Sequence, residues 1–208
     1  MFRFYDKSKR APKKSEKKIQ LYDDKGNAYW LEADEWRSKV LPANIKKYWN
    51  DPENLYAIIH MAFKDGFGSD VLKAASRLKE IQPDHTSYST LGVLQIQQGL
   101  LKEAEKTFTE EMNLLGKSAF SLNYLAKIYA DTGRQDQVDG MLYEALKMNP
   151  NEENALEWWA AVRKEKGGDA AWVDALKHIA TFEKSWLPQL WLGRTALKEE
   201  PLLTFGRT

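Results

Sequence analysis

Three histidines, His60, His85 and His178, are the side chains of this sequence best suited to proton transfer or metal ligation near neutral pH. They stand far apart, and no HExxH, GxSxG or phosphate-cradling glycine loop accompanies them. The chain has no cysteine, which removes thiol nucleophiles, zinc–thiolate sites and disulfides. The acidic stretch DGFGSD, Asp65 to Asp70, offers oxygen ligands for a cation, but its glycines read more simply as a turn between helices. No enzyme activity, cofactor or metal site is therefore expected. The residues of interest are those able to bind another molecule.

One such set is electrostatic. Residues 1 to 18 carry eight Lys or Arg against Asp6 and Glu16, a local charge of +6, which leaves the rest of this +1 chain at −5. Clustered cations gain affinity for phosphates by releasing counterions. An acidic body repels the same phosphates, and no recognition motif accompanies the arm. A nucleic-acid or acidic-membrane accessory role through the arm is thus the alternative reading, with nucleic acid disfavoured. No apolar run approaches the ~20 residues that span a bilayer, and no hydrophobic segment stands behind the basic N-terminus, so neither a transmembrane helix nor a signal peptide is expected. A reducing, cytoplasmic location fits the absence of cysteine.

The elements that must position any binding residues are mostly helical. With 43% apolar residues, eight Trp, nine Tyr and eight Phe, the 208-residue chain has ample surface to hide in a core. Residues 1–17 lack periodicity and read as a basic flexible arm. In 18–51, Ile19 and Leu21 alternate with polar neighbours, DDKGN supplies a turn, and Tyr29 and Leu31 resume the alternation, which predicts a β-hairpin. Tyr22, Trp30 and Trp36 should pack on the helices C-terminal to them, because an isolated hairpin is marginal in water. Pro42 is expected at a break, ahead of a short helix ending near Trp49.

From residue 52 onward, helix, turn and helix recur with a period of 33 or 34 residues: 52–84, 85–118, 119–152 and 153–185, then a partial frame at 186–200 and a tail, 201–208. Gly66, Gly99, Gly133 and Gly167 all fall at place 15 of their frames. Leu91, Gly92, Ala104 and Phe108 in the second frame share their places with Leu125, Ala126, Val138 and Leu142 in the third, which also carries Tyr129, Ala145 and Pro150. Within a pair, Gly92 should let the partner helix approach at Ala104, and Gly99 should end its helix at positive φ. The fourth frame departs from the pattern, with Trp159, Arg163 and a GGDAAWVDAL stretch whose register is ambiguous.

This pattern resembles the tetratricopeptide repeat (TPR), whose 34-residue unit carries Leu-Gly, Tyr, Ala, Phe and a closing Pro. The resemblance covers residues 52–200 and implies an all-α solenoid behind a short hairpin-and-helix leader. It also implies a scaffold or adaptor that binds a protein or peptide along a concave groove lined by the first helix of each repeat. Carried over place by place, the groove would draw Tyr56, His60 and Lys64 from the first frame, and Ser89, Thr90 and Gln97 from the second. The third would supply Asn123, Tyr124, Lys127 and Asp131, the fourth Asn154, Glu157 and Trp158, and the fifth Trp191 and Arg194. The basic clamp by which some relatives hold chaperone C-termini is not matched, whether it is laid on the chain from the first frame or from the second. With one helix in the fifth frame, Leu192, Gly193 and Ala196 lack their usual partner, so a homo-oligomer through this uncapped end is a further expectation.

Overall fold

A computed structural model of the chain describes residues 18–22 and 25–199. The basic arm and the C-terminal tail lie outside the described residues. Two compact units are present, one ending at Ile81 and the other beginning at Gln82.

In the first unit, β1 (Lys18–Tyr22) and β2 (Ala28–Glu32) pair antiparallel, with Ile19 opposite Leu31 and Leu21 opposite Tyr29, as the alternation predicts. Residues opposite one another share a face of the hairpin. Ile19 is buried on one face, whereas Tyr22 and Trp30 stand on the other and are exposed. The expectation that both pack inward is thus corrected by the pleat itself. Trp36 alone behaves as expected: it is fully buried, with its ring 5.6 Å from Phe67.

Pro42 does not break the chain either. A helical stretch begins at α1 (Ala33–Glu35), passes through a π-helical turn (Trp36–Val40) and continues as α2 (Leu41–Lys47), with Pro42 at its second position. Proline lacks an N–H, and its ring crowds the carbonyl four residues back. The widened π turn just before it lets the helix pass this point. Asp51 then caps α3 (Pro52–Lys64), its carboxylate accepting from the Asn54 amide at 3.1 Å. A short 3₁₀ turn (Gly68–Val71) leads into α4 (Leu72–Ile81). Arg37 clasps Asp70 at 2.9 and 3.0 Å, so the leader is tied to the first helix pair by charge as well as by Trp36. The DGFGSD stretch is this interhelix turn.

The second unit contains α5 (His85–Gln97), α6 (Leu101–Leu115), α7 (Ala119–Asp131), α8 (Gln135–Met148), α9 (Glu153–Ala180) and α10 (Leu187–Glu199). Each packs mainly on its neighbours in sequence, and α5 also meets α7. Asp84 and Ser87 form a reciprocal capping box at the start of α5, and Ser118 caps α7. Gly92 is a close-approach position: a Cβ there would lie 2.5 Å from Cζ of Phe108. The phenyl ring of Phe108, rather than Ala104, therefore fills the space expected for the partner helix.

α9 is two helices merged across a kink at Gly167 and Gly168. Gly167 holds the place of the other turn glycines, but it is Gly168 that adopts the left-handed φ of +70°. The fourth turn is thus displaced by one residue, which is the source of the ambiguous register in GGDAAWVDAL.

Candidate functional site

The first helices of the repeats carry the predicted groove residues, and the structure treats these unequally. On α3, Tyr56 and His60 sit one turn apart and exposed, their rings 6.0 Å from each other. Lys64 is exposed at the end of the same helix. On α5, Ser89 is half-buried, Thr90 turns its hydroxyl back to the Thr86 carbonyl at 2.7 Å, and Gln97 is exposed. Tyr56, His60 and Lys64 belong to the first compact unit and all the others to the second.

α7 gathers the densest group. Tyr124 stacks on Phe108 with centroids 5.5 Å apart and meets Phe120 at 4.6 Å. Burial, and then the negative Glu152, push the Tyr124 phenol above its ordinary value, so it remains a hydrogen-bond donor. Burial likewise raises the Glu152 carboxyl. Lys127 reaches Asp131 one turn on, at 3.6 Å. Asn123 is only 8% exposed, so this position is closer to the helix core than to an open surface.

In the fourth frame, Asn154 and Glu157 are exposed, whereas Trp158 packs against the cluster built from Leu156, Trp159 and Leu176. Trp191 on α10 lies nearly parallel to Trp172, at 7° and 6.0 Å between centroids, and Arg194 is exposed. α10 owes its start to Asn151, whose side-chain oxygen accepts from the amides of Trp186 and Leu187 at 2.8 and 2.9 Å. The same side chain donates to the Lys184 carbonyl at 2.9 Å, bracing a residue held at φ +62°.

No protein-family model matches the chain. TPR repeat-containing protein YpiA of Bacillus subtilis (strain 168) is 27% identical over 149 residues, covering 71% of this chain and 34% of that protein. The chain thus spans about a third of the length of this curated relative. Among solved structures, MamA superposes with a TM-score of 0.57 at 16% identity, over 82% of this chain and 99% of that one. The repeats have the tetratricopeptide-repeat fold. YrrB, described as a TPR protein with an unusual peptide-binding site, superposes with a TM-score of 0.50 at 12% identity, over 70% of this chain and 75% of its own.

Two further residues stand at first-helix places of the final TPR frame. Leu190 is 44% exposed and Leu197 74%, and they lie on one stripe of α10 with Arg194 and with Trp186, itself 59% exposed. Places five and twelve of the TPR frame, counted from Trp186, would have named both leucines. Between them Gly193 opens a notch, with nothing within 4 Å of where its Cβ would be. Among the described residues no group of His, Asp and Glu is arranged to hold a metal ion, and no helix is long and apolar enough to cross a membrane.

Proposed function

We propose that this protein is a non-catalytic scaffold that binds a peptide segment of a partner protein along the first-helix faces of its repeats. The observation that carries the proposal is the α10 stripe. Large apolar side chains left in water on an ordered helix, beside an arginine, are what an interface uses as anchors. On α7, the Tyr124 phenol keeps its proton as a donor for a ligand, and the Lys127–Asp131 pair supplies polar contacts. Trp158 and Trp191 stand half-buried on later first helices of the second unit and Ser89 on α5, while Tyr56 and His60 offer a separate first-helix face within the first unit. The peptide-binding site of YrrB supports the same use of the fold. Affinity should be modest, because ordering a flexible segment offsets much of what its anchors gain.

The test is capture from host lysate at moderate salt with three proteins: the intact chain, a deletion of residues 1–17, and Leu190→Lys with Leu197→Lys. A protein partner that survives the deletion and is lost with the α10 variant, whose helical circular dichroism stays intact, supports the proposal. A partner that is nucleic acid or lipid and vanishes with the arm alone overturns it in favour of the electrostatic role. Concentration-dependent size that disappears in the α10 variant, with no other partner, would instead assign that stripe to self-association.

A further inference from the structure

The first unit has a groove that the repeat pattern does not account for. It runs between α2 and α4 and encloses about 640 Å³, within the range of ~300–1,000 Å³ typical of ligand sites. Its floor and walls are apolar: Leu41 and Ala74 are buried there, and Pro42, Ile45 and Trp49 stand along the sides. The π turn makes this possible, since it carries Pro42 within a helix and so lays an apolar edge along the opening.

The rim is cationic. Lys46 and Lys73 are both exposed, and neither has an ion pair among the described residues. Arg37 and Asp70, the sole carboxylate of the lining, are paired with each other, so the net charge of the rim comes from the two lysines. At the far end Asn50 is fixed by Arg77 at 2.6 Å. A phosphate backbone would leave the apolar floor unfilled, so nucleic acid fits this groove poorly.

We propose that the α2–α4 groove is a second docking site, taking a short acidic segment of a partner protein with one large apolar residue seated between Pro42, Ile45 and Trp49. The apolar residue supplies burial and the flanking Asp or Glu meet Lys46 and Lys73. This division of labour is that of an amphipathic segment in a helix-lined groove. The charges mainly set partner choice and encounter rate, and their part weakens with salt.

The experiment pans a random 12-residue display library on the intact protein and repeats it on Lys46→Glu with Lys73→Glu, two exposed positions whose change leaves the fold in place. Peptides from the first selection should carry Asp or Glu around a bulky apolar residue. A synthesised peptide from that pool should bind the charge-reversed variant at least tenfold more weakly. Selection on that variant should turn to Lys and Arg. Binding should alter Trp fluorescence in the intact protein and not in Trp49→Phe, and it should persist in Leu190→Lys with Leu197→Lys, which separates this groove from the α10 stripe. No enriched peptide, no acidic bias, or equal binding to the charge-reversed variant overturns the proposal. So does competition of the selected peptide by single-stranded DNA or by phosphatidylserine vesicles as strong as its competition by unlabelled peptide.

Discussion

Gly92→Ala should destabilise the protein, although alanine is the better helix former by about 1 kcal/mol. The added Cβ would lie 2.5 Å from Cζ, 2.6 Å from Cε2 and 3.0 Å from Cε1 of Phe108. Carbon atoms prefer roughly 3.5–4.0 Å, so the ring must retreat by about 1 Å. Phe108 has nowhere to go: it is fully buried and stacked on Tyr124 at 5.5 Å. Overpacking of this kind costs ~1–3 kcal/mol, and after the propensity gain a net loss of up to about 2 kcal/mol remains. Gly140, inside α8, is the control, since it has nothing within 4 Å and an ordinary φ. Gly140→Ala should gain up to about 1 kcal/mol from propensity alone. Urea unfolding followed by circular dichroism reads both as midpoint shifts of opposite sign at constant slope. Adding Phe108→Leu to Gly92→Ala should recover part of the loss. A Gly92→Ala variant as stable as Gly140→Ala would refute the close-approach account.

Three other outcomes rest on side-chain geometry. Asn151→Ala should cost about 1–2 kcal/mol, because the first amides of α10 lose their acceptor, and hydrogen exchange should rise at Trp186 and Leu187 before anywhere else. Glu105 accepts two hydrogen bonds from Arg134 at 2.7 Å, which hold its carboxyl below the ordinary value of 4.5. Its contribution is therefore full above that value and lost as pH falls through the lowered one. Urea midpoints across the acid range should show Glu105→Gln removing that part of the decline. Glu111 is fully buried, with one oxygen on His85 at 2.7 Å and the other without a partner. Glu111→Met should consequently be neutral or stabilising by thermal melt, whereas Glu111→Ala, which leaves a cavity, should destabilise.

The repeats are legible in sequence because their demands are local and stereochemical. A position crowded by Phe108 accepts only glycine, and a turn at positive φ favours it. The hairpin is legible for a similar reason, as strict alternation fixes which residues oppose which. Pro42 misleads because the π turn that accommodates it is a property of the backbone around it, not of any residue type. In the fourth turn, two adjacent glycines can each take the left-handed conformation, so periodicity alone cannot choose between Gly167 and Gly168. The candidate surface is harder to read. Leu190 and Leu197 look like core by composition, and only their lack of neighbours exposes them. Asn123 looks like surface by composition and is nearly buried. Trp191 could be placed on α10 from its frame, but its partner Trp172 required the kinked geometry of α9.

In the second unit each helix rests chiefly on the helix before and the helix after it, so contacts are short in sequence. Folding of such an array should be fast for its size, since little loop entropy must be lost before packing rewards it. Opening should be graded as well. α10, which packs chiefly on α9 among the described residues, can open while α5 to α8 remain closed, and its amides should exchange before theirs. The apolar stripe therefore sits on a helix that opens readily, and a partner that grips it would also hold that helix closed.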